Sequence, residues 1–184
     1  AGFTMKKRAV MNKKYLLLVN LVLGVALRLA FFSGYVSGDD RAYIARAQAY
    51  AQGDFPRPYS HWGSRAGVVL PTAAVFKAIG VNYWSPAVVP FVLSLLTIIV
   101  TYFFASYLFD TSVGLLAAFL LAVFPMDVLF ASQLFPYEFL VFFTTCSLFA
   151  FLKGVDEDRI FLIFLAGLCL GLVYLSRITA LFSL

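Results

Sequence analysis

Very little of this sequence is suited to water. Only 12% of its 184 residues are charged, about half of the roughly 25% usual in soluble domains, so the chain cannot cover a hydrated surface. Histidine occurs once, at His61, and no His, Cys and Glu cluster together, which leaves a zinc or haem site with little support. The two cysteines, Cys146 and Cys169, both fall in apolar segments without the short spacing of a metal site or disulfide framework, and read as packing residues. Internal repeats and low-complexity tracts are missing, as is the symmetry of Gly/Pro-broken halves that a transporter leads one to expect.

What is there is apolar: 62% of the residues are hydrophobic and 18% aromatic. A bilayer span needs roughly 20 consecutive apolar residues, and the chain has room for about five. The 14 Lys and Arg outnumber the 9 Asp and Glu, but Lys6, Lys7, Arg8, Lys13 and Lys14 precede the first apolar run, where they suit a cytoplasmic flank facing anionic lipid rather than nucleic acid. The expectation is an all-α, polytopic transmembrane helix bundle forming a single membrane domain over residues 1–184, with spans at about 16–36, 86–108, 113–131, 136–152 and 160–182. Arg28 inside the first run, with no clear cleavage site, argues for a span there rather than a signal peptide.

The segment 37–85 is the polar exception. Tyr43, Ile44, Ala47 and Tyr50 recur at helical spacing, so 39–52 reads as an amphipathic helix lying in the interface, and 65–79 reads likewise. With the N-terminus inside, this loop and the 132–135 turn lie on the outer side of the membrane. Pro136 fits the first turn of the fourth helix.

Candidate chemistry gathers on that side. Asp39 and Asp40 are adjacent carboxylates at a helix start. They serve either as helix-terminal acids, Ser37 and Asp40 having capping-box spacing, or as functional groups. Glu138, two residues after Pro136, divides in the same way between the helix dipole and an outer vestibule shared with Asp39. Asp127 is a third acid there, with a weaker claim. Arg28 and Arg177, inside apolar runs, must pair, snorkel or face a polar cavity. With Arg57, His61 and Arg65 they make a phosphate-bearing lipid the natural ligand, since guanidinium groups grip phosphate bidentately; the other reading is that these charges pair among themselves. Trp62, Trp84 and Tyr83 read as interfacial anchors, with sugar stacking as the alternative.

The order of these features resembles the GT-C membrane glycosyltransferases, in particular the protein mannosyltransferase and aminoarabinose transferase family. The parts are Arg28 in the first span; Asp39-Asp40-Arg41-Ala42-Tyr43 with Ala47 and Gly53-Asp54-Phe55; the stretch from Arg65 to Phe76-Lys-Ala-Ile-Gly80; Leu108-Phe109-Asp110; Phe124-Pro125; and Pro136-Tyr-Glu138. The family's acid pair is usually Asp-Glu, and the Lys that contacts the donor phosphate has Arg65 in its place here. The resemblance implies inverting transfer of a sugar from a polyprenyl-phosphate donor to a lipid, glycan or protein hydroxyl on the outer face of a prokaryotic inner or plasma membrane.

It implies Asp39 as general base, Asp40 and Glu138 as supporting acids, and Arg65 with Arg28 near the phosphate. A divalent ion such as magnesium or manganese, which some relatives require, would be held by Asp39 and Glu138. Family members typically have eleven or more spans, so the chain reads as the N-terminal portion of a longer enzyme. The competing expectation is a non-catalytic membrane subunit packed against other membrane subunits. The transferase reading requires Asp39 and Glu138 to converge on one outer cavity with at least one Arg.

Overall fold

The computed structural model describes residues 13–34, 38–55 and 65–177. Every regular element among them is helical: α1 (Lys13–Ala30), α2 (Asp39–Ala51), α3 (Ala66–Ile79), a 3-10 turn (Ser85–Ala87), α4 (Val88–Leu108), α5 (Thr111–Ala122), α6 (Pro125–Phe130), α7 (Tyr137–Asp156) and α8 (Ile160–Ser176). Two stretches, Ser85–Leu108 and Tyr137–Asp156, are long and apolar enough to cross a membrane, while α3, α5, α8 and most of α1 are apolar but shorter. Large apolar side chains point outward: Ile160 is 83% exposed and Phe161 and Phe164 are each 68% exposed. Such a surface is matched to lipid rather than water.

The two amphipathic helices expected in the outer loop are α2 and α3, and their boundaries fall within a residue or so of those read from periodicity. The expected span 113–131 is instead two helices. Phe124 is extended (φ −67°, ψ 118°) because the following Pro125 disfavours helical backbone before it, and Pro125 then starts α6, where its missing N–H costs nothing. The first helix ends at Ala30 rather than 36, and α8 ends at Ser176, with residues 178–184 outside the described part.

Packing follows chain order. α4 and α5 form a hairpin started by Asp110, whose carboxylate accepts from the backbone N–H groups of Ser112 (2.6 Å) and Val113 (3.1 Å), an N-cap of about 1 kcal/mol. The hairpin closes on Gly114, where a Cβ would come within 2.7 Å of the Tyr102 carbonyl oxygen. Small residues allow such approach in a bilayer, where apolar area offers helices no drive to associate. α7 and α8 pair similarly, and α1 packs on α4 and α5. Tyr43 and Ala47 of α2 join Val68, Val69, Ala73 and Phe76 of α3 in a core shared with Leu93 of α4 and Phe139 of α7. The α2–α3 pair is therefore docked on the apolar bundle.

One buried polar network ties these pieces together. Arg28, in the last turn of α1, is fully buried. Its Nη2 pairs with the Asp127 carboxylate of α6, and its Nε donates to the Ser94 hydroxyl of α4 at 2.6 Å. Nη1 reaches the carbonyls of Gly24 (3.0 Å) and Ala122 (3.2 Å). Ser94 in turn donates to Asp127 at 2.6 Å. A charge in this setting is tolerated only if paired and hydrogen-bonded.

Removing one partner should therefore cost more than removing both. Asp127→Ala is expected to lower unfolding stability in detergent by about 3–5 kcal/mol, and Arg28→Met/Asp127→Leu to regain most of that loss. Equal unfolding midpoints for Asp127→Ala and the parent chain would overturn the assignment.

Candidate functional site

The end of the bundle where α1 finishes, α7 begins and α8 finishes gathers most of the candidate side chains. α2 opens after Gly38, whose φ of +88° is a left-handed conformation that glycine adopts without steric cost. Among the described residues no side-chain cap is seen at this helix end; Asp39 and Asp40 occupy its first turn, favoured by the helix dipole. Ser37, the other half of the expected capping box, lies outside the described residues. Asp40 is buried on the face that also carries Tyr43 and Ala47, whereas Asp39, one position round the helix, stays partly open.

Arg65 immediately precedes α3. Its Nη1 donates to the hydroxyl of buried Tyr43, and the guanidinium lies 5.6 Å from that ring's centre. Burial and the nearby Arg177 pull the Arg65 pKa below its ordinary value, while Asp39 and Tyr137 act in the opposite sense. Arginine stays protonated all the same. Two guanidinium groups thus share a region with one flanking carboxylate. Arg177, just past α8, lies over Tyr137 at 5.8 Å. The sequence groups Arg177 with Arg28, Arg57, His61 and Arg65 as outer cations without assigning it a particular neighbour.

The contact that brings these cations together is steric. Gly67 crosses α8 so closely that a Cβ would sit 2.4 Å from Ser176 Oγ, 3.0 Å from Ser176 N and 3.2 Å from the Leu172 carbonyl oxygen. Arg65 is two residues before Gly67 and Arg177 one after Ser176, so the crossing sets their approach. Below them runs an apolar groove of about 290 Å³ between α3, α4, α7 and α8, lined by Gly67, Leu70, Leu93, Phe139, Leu172 and Leu175 among others. A pocket with a polar head and apolar walls fits an amphiphile.

The other candidates are placed differently. Arg28 is engaged wholly inside the bundle by Asp127, Ser94 and two carbonyls, so its guanidinium does not face the groove. Glu138, in the first turn of α7, is 2% exposed, and its Oε2 has no hydrogen-bond partner among the described residues. Its charged neighbours are Asp127 and Arg28, whereas Asp39 acts on Arg65. Glu138 thus takes its main charge interactions from Asp127 and Arg28, and Arg65 from Arg177 and Asp39, with Tyr137 and Glu138 adjacent at the start of α7. Among the described residues no three of His, Cys, Asp and Glu gather as a metal-ligand set. Arg57 and His61 lie outside the described residues. Trp84 and Tyr83 pack with Phe32 in an aromatic cluster at the α1–α4 end, away from the groove lining.

A family model described as dolichyl-phosphate-mannose-protein mannosyltransferase matches residues 68–184. No curated protein matches the chain. The family match takes in most of α3 and all of α4 to α8, with Glu138 and Arg177; it begins after Asp39, Tyr43 and Arg65.

The Gly67 crossing can be tested directly. With Arg65→Cys and Arg177→Cys, a short bis-maleimide should join the two positions, as read by peptide mass mapping. Adding Gly67→Val should cut that yield severalfold by pushing α3 off α8. An unchanged yield would mean that the crossing does not set the approach of these two residues.

Proposed function

Because the chain belongs to the dolichyl-phosphate-mannose-protein mannosyltransferase family, and with it to the GT-C membrane glycosyltransferases, we propose that it transfers a sugar, with inversion, from a polyprenyl-phosphate donor to a hydroxyl acceptor. The observation that carries this reading is the pair Arg65 and Arg177 at the head of an apolar groove, with Asp39 beside Arg65.

The chemistry follows from those parts. The donor's prenyl chain lies in the groove and its phosphate meets the two guanidinium groups, whose mutual repulsion it relieves. Asp39, partly open beside Arg65, takes the proton of the acceptor hydroxyl as that oxygen attacks the anomeric carbon. The bond from that carbon to the phosphate oxygen breaks, and polyprenyl phosphate leaves with the electron pair. Arg65 and Arg177 stabilise the charge that grows on the leaving oxygen, which is the part of the reaction where fixed cations act most. Tyr43 holds Arg65 through its hydroxyl and ring face.

Arg28 and Asp127 act at one remove, by fixing the ends of α1 and α6. Asp40, buried in the α2–α3 packing face, supports the helix that carries Asp39. Several spans with a cytoplasmic N-terminus would place Arg28, Asp39, Arg65, Glu138 and Arg177 together on the outer face. The opposite turn holds Lys153, Glu157 and Arg159, joined by contacts of 3.7 and 3.1 Å.

The test is transfer from a radiolabelled polyprenyl-phosphate sugar by the complete gene product in nanodiscs. Asp39→Asn should lower kcat by about 10²–10⁴-fold. Arg177→Gln should reduce kcat/KM for the donor by at least about tenfold, the worth of one charge-assisted contact. Unchanged turnover in Asp39→Asn removes it as the base, and unchanged kcat/KM in Arg177→Gln removes the phosphate site.

A further inference from the structure

Along α2 the side chains at 39, 43, 46 and 50 fall within about 60° of arc, at 100° per residue. Asp39 and Tyr43 on this strip belong to the site already described. Arg46 does not, yet its side chain is only partly exposed, and its Nε and Nη2 are buried with no hydrogen-bond partner among the described residues. Those two atoms form one edge of the guanidinium, the edge that presents two parallel N–H groups to an oxyanion. Tyr50, one turn on, lies under the group at 5.7 Å and helps hold its plane. Tyr50 itself packs against the α2–α3 core and against Phe55 at 5.1 Å, so this support is anchored.

A buried donor left unpaired is destabilising, and more so when it is charged. A folded helix would not hold two of them on one side chain without something to offset it. Arg46 also lies about 10 Å along the helix from Asp39, at 1.5 Å per residue, with Tyr43 and its Arg65 between them.

We propose that Arg46 is an oxyanion-binding subsite, distinct from the Arg65 and Arg177 pair, that takes a phosphate or carboxylate through its Nε and Nη2 edge. The proposal does not depend on the transfer reaction. The oxyanion comes either from a phospholipid headgroup of the surrounding leaflet or from a phosphate group free in solution, and both present the same pair of oxygens.

The experiment uses the complete gene product in nanodiscs of the phosphate-free lipid digalactosyldiacylglycerol, in an Arg65→Gln/Arg177→Gln background that silences the first site. Inorganic phosphate is titrated by calorimetry. Adding Arg46→Gln should weaken binding by about tenfold or more. Arg46→Lys keeps the charge but not the two-pronged edge, and should recover only a small part. Arg41→Gln, exposed on the same helix, should change nothing. In a second arm phosphatidylglycerol replaces part of the phosphate-free lipid. If a headgroup occupies the subsite, phosphate affinity falls in those discs only while Arg46 is present. If it does not fall, while the dependence on Arg46 holds in the first arm, the ligand is the free phosphate. Phosphate affinity equal with and without Arg46 in both disc types would overturn the proposal, as would full recovery by Arg46→Lys, which would leave a point charge rather than a built edge. Loss of transferase activity in Arg65→Gln bears only on the donor reading and leaves this result untouched.

Discussion

The end of the bundle where α1 finishes and α7 begins depends on a single buried cation. Arg28 has no exposure at all, and its three nitrogens are shared among Asp127, Ser94 and the carbonyls of Gly24 and Ala122. Those partners come from α1, α4, the end of α5 and α6, so one guanidinium holds four elements in register. Its worth lies in specificity more than in net stability, because desolvating two charges consumes much of what their attraction returns. Pro125 breaks the third apolar run at Phe124, and Asp127, two residues after that proline, anchors the broken piece to α1 and α4. The turn that leads on to Pro136 and α7 starts from that anchored helix. Where Tyr137 and Glu138 stand thus follows, through α6, from where Arg28 is held.

The second constraint is an absence of side chain. Gly67 lets α3 lie against Ser176 and Leu172 at a distance no other residue permits without displacement. In a bilayer, dispersion and backbone proximity do the work that apolar burial does in water, and small residues mark the crossings. The consequence reaches beyond packing. Two like charges are drawn into one neighbourhood, which raises their energy unless an anion joins them, and the groove beneath them is apolar.

Much of this was legible in the sequence, for reasons that can be named. Helical periodicity found α2 and α3, because a helix that packs on one face must keep one apolar stripe, and Tyr43 and Ala47 are indeed buried members of the α2 stripe. The family was legible from the order of weak motifs, none sufficient alone, and the match over residues 68–184 agrees with it. Pairing was not legible. Arg28 and Asp127 are far apart in the chain, and nothing local says that the cation in the first span meets the acid after Pro125 rather than a ligand. Arg177 was visible as a charge in an apolar run, but its approach to Arg65 depends on Gly67 fitting against Ser176, a three-dimensional fact with only a glycine as its trace. The break at Phe124 was within reach, since Pro125 stands in the sequence, and hydropathy alone overrode it.

The placement of Glu138 sharpens the electrostatic logic. One cluster holds Arg65 and Arg177 with Asp39; the adjoining one holds Asp127 and Glu138 with Arg28. The first has two guanidinium groups for one carboxyl group, the second two carboxyl groups for one guanidinium. Tyr137 belongs to the first and Glu138 to the second, so the division passes between successive residues at the start of α7. An anion arriving at this end of the bundle meets attraction on one side only, and in a low-dielectric setting that contrast acts over several ångströms. The attractive side is that of α3 and α8, over the groove and away from the buried ion pair. The Arg28 network therefore acts twice, by positioning α7 and by keeping its own cation engaged within the bundle.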